Sequence, residues 1–124
     1  MKKWLIGYYL LACTTVVFAQ SNESNIPVDN RARTFPTAVS FSSSAIAAYI
    51  EENFLKNNER IRAAYRWVTA NIEYDKDSML SINWSYNTQD KIAATLRRKK
   101  GVCDNFASLF SDILVKMNIP SQVV

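Results

Sequence analysis

Gly101-Val102-Cys103-Asp104-Asn105-Phe106-Ala107-Ser108-Leu109-Phe110, continued by Ser111-Asp112-Ile113-Leu114-Val115-Lys116-Met117-Asn118-Ile119-Pro120, is the stretch on which the reading of this chain turns. Cys103, Phe106, Ala107, Phe110, Ile113, Leu114 and Met117 recur at helical spacing, so they share one face of a helix. The spacing puts Cys103 in the first turn, on the stripe that faces the interior. Gly101 is expected to break the preceding helix through a left-handed or tightly turned backbone, and Asn118 to end this one in the left-handed region. From Ile119 the chain begins to read as a strand.

A thiol in that position has two readings. Free cysteine is among the most buried residue types and packs as a small hydrophobe. It is also a nucleophile, and the free N–H groups and dipole of a helix start favour its thiolate. The N–H of Cys103 is itself a candidate donor to an oxyanion. Arg97-Arg98-Lys99-Lys100, just upstream, complements the negative end of its own helix and stands near the thiol in sequence. Asp104, Asn105 and the Lys99/Lys100 pair are the nearby polar groups; none is an efficient general base at neutral pH, and none is assigned a catalytic role.

Outward from this stretch the chain reads as further helices. Thr88 caps one carrying Ile92, Ala93 and Leu96. Ile46, Ala47, Ile50 and Phe54 mark a helix from Ser43 to near Lys56. Asn57 or Asn58 caps the next, whose apolar face is Ile61, Ala64, Tyr65, Val68 and Ile72. Residues 73–87 lack helical spacing and read as a loop; Asp75 and Asp77 lack the glycine and distal glutamate of a calcium loop. Trp67, Trp84 and Tyr74 read as packing residues rather than a substrate platform. Residues 20–42, polar and interrupted by Pro27 and Pro36, read as a tether or extended arm without a core of its own.

Composition excludes several chemistries. There is no histidine among the 124 residues, so no Ser–His or Cys–His pair and no His-bearing zinc site can be built from them alone. With two glycines, Gly7 and Gly101, Gly-rich phosphate loops are excluded as well. No cofactor or metal is implied. Hydrophobic residues make up 48% of the chain, enough for one packed domain.

Lys2 and Lys3, the uncharged run 4–18 and Val17-Phe18-Ala19 read as a cleavable export signal over residues 1–19, for a periplasmic or secreted protein. The run is shorter than the roughly 20 residues of a membrane span. The alternative at this end is a lipoprotein signal, Leu10-Leu11-Ala12-Cys13, with lipid on Cys13. Asn22 and Asn83 head glycosylation sequons, which matter only in a eukaryotic secretory pathway. Cleavage removes two lysines from 15 basic residues against 11 acidic ones, so a net charge of +4 becomes +2 and a nucleic-acid partner loses support. It also leaves Cys103 as the one cysteine, and an odd cysteine in an exported chain is a free thiol or an intermolecular partner.

Gly101-Val102-Cys103-Asp104-Asn105-Phe106-Ala107, with Leu109-Phe110, Leu114, Asn118-Ile119-Pro120 and Val123-Val124, resembles the nucleophile segment of the transglutaminase-like family. That segment runs G-x-C-x-x-aromatic-A, then a leucine-rich helix, then G-I-P-A into a strand. Tyr65-Arg66-Trp67-Val68 through Asn71-Ile72-Glu73-Tyr74-Asp75 resembles the W-V…N-I-x-Y helix that leads in, and Thr95-Leu96 fits as well. The resemblance spans roughly residues 58 to 124 and implies an α+β, papain-like fold, of which these residues are the mostly helical N-terminal half. It implies that Cys103 is the nucleophile of acyl transfer from glutamine amides to amines or water, or of a peptidase, on a protein or peptide substrate. Asn118 stands where the family has glycine. The family's histidine and aspartate follow the strand that begins at Ile119, so residues 43–124 are expected to be a truncated domain with an exposed apolar helix face, inactive alone. The alternative is a catalytically inactive exported binding module that keeps the helical half.

Overall fold

The structure, a computed structural model, describes residues 26–80 and 87–124. The signal segment 1–19, Cys13, Trp84 and both sequon asparagines lie outside the described residues. Five helices carry the fold: α1 Ile26–Ala32, α2 Ser43–Asn53, α3 Asn57–Asn71, α4 Thr88–Arg98 and α5 Cys103–Lys116. Two short strands, β1 Glu73–Tyr74 and β2 Lys100–Gly101, pair in parallel, with Glu73 opposite Lys100 and Tyr74 opposite Gly101. No described helix is long and apolar enough to cross a membrane.

Helix α5 is central and packs on α2, α3 and α4. Its Leu109, Ile113, Leu114 and Met117 meet Ile46 and Ile50 of α2, Ala64, Trp67 and Val68 of α3, and Ile92 and Leu96 of α4 in one core. The helix starts follow side-chain chemistry. Ser42 Oγ accepts from Ala45 N–H at the head of α2, and Asn87 Oδ1 accepts from Gln89 N–H at the head of α4. Helix α2 stops at Asn53, three residues before the expected Lys56, because Phe54 turns extended and packs into the core.

Several further expectations are corrected: residues 119–124, expected to begin a strand, form none, and the residues that cap α3 and α4 are Lys56 and Asn87, not Asn57 or Asn58 and Thr88. From residue 26 the expected arm is folded on the domain: α1 lies along α3, Ala32 and Phe35 are buried, and the Phe35 ring stacks on Trp67 at 6.0 Å. Arg62 of α3 donates to both carboxylate oxygens of Asp29, at 2.7 and 2.8 Å, and fixes where α1 lies. The buried face of α3 is Ala63, Ala64, Trp67 and Val68, while Ile61 and Tyr65 are exposed. It is turned because Phe35 covers a side of α3 that helical periodicity alone left to solvent. Residues 73–74 are a strand, not loop. Lastly, α4 ends in a left-handed Lys99 (φ 53°), not at Gly101, which has no positive φ. Lys99 Nζ donates to Ser40 O and lies 4.5 Å from the Phe41 ring centre and 5.1 Å from that of Trp67, and these contacts hold the residue there. Asn118 is left-handed as expected, at φ 57°.

Asp75, directly after β1, fastens that strand to the end of α4. Its N–H donates to Gly101 O at 3.0 Å, and its carboxylate accepts from Ser78 Oγ at 2.8 Å and Arg98 at 3.0 Å. The Ser78 hydroxyl first, helped by the Ser78 N–H and Arg98 and opposed by burial, holds the Asp75 carboxyl below its ordinary value. A depressed carboxylate stabilises the fold above its unfolded value of about 3.9, and that contribution fades as pH falls through the folded value. Asp75→Asn is therefore expected to lower the urea midpoint at pH 7. The gap to the parent should close as the buffer is taken from pH 5 to pH 3; a gap constant with pH would show that the charge is not what stabilises.

Candidate active site

Cys103 opens α5, directly after the strand pair and Val102. Its side chain is exposed, which corrects the expected interior position. The apolar stripe of α5 is wider than the core can cover, and it divides. Leu109, which was not on the expected stripe, is fully buried together with Ile113. Cys103, Phe106, Ala107 and Phe110 instead form one wall of an open cleft of about 430 Å3. Tyr65, Val68 and Thr69 of α3 and Tyr74 of β1 form the rest. The Tyr65 and Phe110 rings meet edge-on at 6.2 Å, and Tyr74 lies 6.2 Å from Phe106. Thr69 Oγ1 donates to Tyr65 O at 3.0 Å, so its proton is used within α3. The cleft is thus mainly carbon, with Cys103 among its lining residues.

The first hydrogen bond inside α5 runs from Phe106 N–H to Val102 O at 3.1 Å. The N–H groups of Cys103, Asp104 and Asn105 have no acceptor among the described residues, as at any helix start. Val102 N–H, by contrast, is taken by Asn105 Oδ1 at 2.9 Å. Asn105 Nδ2 donates to Thr95 Oγ1 at 2.9 Å, and Thr95 Oγ1 donates to Lys91 O at 2.9 Å. Gly101 is packed against this amide: a Cβ there would overlap Asn105 Cβ and lie 2.9 Å from its Cγ. That close approach, not backbone freedom, is why glycine stands at 101.

The basic run has other partners. Arg98 pairs with Asp75, Lys100 with Glu73 at 3.6 Å, and Lys99 reaches Ser40 O. Asp104 pairs with Lys91 on α4 and is not left as a base beside the thiol. Among the described residues no group of three or more His, Cys, Asp or Glu is placed to hold a metal. The structure therefore brings Cys103 together with Phe106 and Tyr74, and leaves Asp104, Lys99 and Lys100 engaged elsewhere. Asn105 was legible as an amide near the thiol; its contact with Thr95, ten residues upstream, was not.

Cys103 thus stands exposed at the start of a helix that is led in by a glycine packed against that helix's first turn. The family model described as the transglutaminase-like superfamily matches residues 44–124. The chain belongs to the transglutaminase-like superfamily. The match takes in α2 to α5 and the strand pair, and begins after α1. Neither a curated protein nor a solved structure matches the chain. The described residues are mostly helical with little strand, as expected.

Proposed function

We propose that Cys103 is the nucleophile of an exported cysteine acyl-transfer or peptidase-type domain acting on a protein or peptide. The observation that carries this reading is an exposed thiol at a helix start with unpaired N–H groups beside it, inside the residues that match the superfamily. In the reaction Sγ attacks the acyl carbonyl, a thioester forms, and the amine leaves with a proton; water or a second amine then takes the acyl group. A free N–H at the first turn is suited to the oxyanion. With no histidine among the 124 residues, the imidazole that activates the thiol and protonates the amine has to come from other polypeptide. Export rests on Lys2, Lys3, the uncharged run 4–18 and Val17-Phe18-Ala19.

That absence of histidine is also what favours a second reading, a binding module in which the aromatic cleft, not the thiol, is used. Acylation separates the two. Treated with p-nitrophenyl acetate, whose activated leaving group needs no imidazole, the native chain should gain one acetyl group on Cys103. The rate should exceed that of an unstructured cysteine peptide at the same pH, and Cys103→Ser should gain none there. A rate at or below the peptide's would remove the nucleophile reading and leave the binding module.

A further inference from the structure

We infer that Asn105 is the positioning residue of the Cys103 nucleophile, an inference that rests on the acyl-transfer reading above. The peptide unit joining Gly101 to Val102 is held at both ends. Its carbonyl accepts from Asp75 N–H at 3.0 Å, and its N–H donates to Asn105 Oδ1 at 2.9 Å. The direction in which the chain enters Cys103 is thereby fixed from β1 on one side and from α5 on the other. Val102 N–H is turned into the protein, so the N–H groups of Cys103 and Asp104 are the first left free for a reacting carbonyl. Asn105 does not itself touch the reacting atoms in this scheme.

The chemistry of the site requires an amide. Thr95 is 1% exposed and its proton is committed to Lys91 O, so its oxygen offers only a lone pair to Asn105. Residue 105 must accept on one atom and donate on the other, which a carboxylate cannot do. Thr95 in turn ties the amide to α4, so the thiol's orientation is referred to the core and not only to its own helix.

Two reactions of Cys103, each followed at that residue by peptide mapping because Cys13 is a second thiol in the 124-residue chain, separate positioning from mere folding. Acetylation by p-nitrophenyl acetate passes through an oxyanion and depends on N–H alignment, whereas alkylation by iodoacetamide forms no oxyanion. Asn105→Ala and Thr95→Val should each slow acetylation about tenfold while leaving alkylation within about twofold. Thr95→Val keeps the residue's shape and carries the test where Asn105→Ala fails to fold. The double variant should be no slower than the slower single one, because both act through one contact. Both rates unchanged, or both changed equally, would overturn the role of Asn105 with Cys103 still the nucleophile. A parent chain that acetylates no faster than a cysteine peptide would instead sink the acyl-transfer reading, and this inference with it.

Discussion

Trp67→Ala is expected to remove much of the chain's stability at 25 °C and to lower its urea midpoint sharply. Trp67 is fully buried on α3, stacked by Phe35 at 6.0 Å and covered by Lys99 Nζ at 5.1 Å from the ring centre. Replacing a buried tryptophan with alanine costs about 3–5 kcal/mol, from lost transfer energy and the cavity left behind. Domains of this size hold about 5–15 kcal/mol in all. The truncation also releases Phe35, and with it the contact that seats the segment after α1 on the domain. One detail predicts an order among substitutions. The indole Nε1 is buried and has no hydrogen-bond partner among the described residues. Trp67→Phe loses volume but also removes that unmet donor, whose burial costs about 1–3 kcal/mol. It should therefore unfold at a clearly higher urea concentration than Trp67→Ala, followed by far-UV circular dichroism. Equal midpoints for the two variants would mean that the ring's volume is not what the core depends on.

The second large effect is at Gly101. Gly101→Ala is expected to destabilise the chain by about 3 kcal/mol, near the upper end of the cost of forcing a group into a packed site. The new methyl meets Asn105 Cβ and Cγ, so it must push the amide off Val102 N–H, which is buried and has no other acceptor. The usual explanation for a glycine, a left-handed backbone, makes a different forecast. Were φ the cause, shortening residue 105 would change nothing. On the packing account Asn105→Ala fails as a rescue, because alanine retains the Cβ that is closest, whereas Asn105→Gly removes the overlap. Urea midpoints of Gly101→Ala alone and paired with each second substitution distinguish the accounts.

Much of this arrangement was legible in the sequence, and what escaped shares a cause. The caps fell one or two residues off, since Lys56 precedes α3 where Asn57 or Asn58 was expected and Asn87, not Thr88, caps α4, but the helices at Ser43, Asn57, Thr88 and Cys103 were readable because apolar periodicity is a local signal. The left-handed Asn118 was readable for the same reason. The strand pair was not: two residues each, Glu73–Tyr74 and Lys100–Gly101, are too short for any alternation to register, and their bond is made across α4. The site of Cys103 was placed on the right turn of the right helix but on the wrong side of the boundary between core and solvent. Periodicity identifies a face, and it cannot tell how much of that face its neighbours cover. The reading of 20–42 as an arm failed beyond residue 26 because Phe35 and Ala32 are isolated apolar residues, recognisable as anchors only once α3 is there to receive them. Glycine at 101 was noticed for its residue type; the reason it is needed sits four residues away, in the Asn105 side chain.

The central place of α5 has a consequence for how the fold comes into being. The helix that presents the thiol is the last of the described helices, yet it supplies Leu109, Ile113, Leu114 and Met117 to the only core cluster among the described residues. A polypeptide made or threaded from its N-terminus delivers α1 to α4 before the helix they pack on. Until residue 117 has emerged, Trp67, Ile50 and Leu96 have no common interior to enter. The shared interior of α2, α3 and α4 waits for α5, and the segment that completes it is the one that brings the Cys103 thiol to the surface.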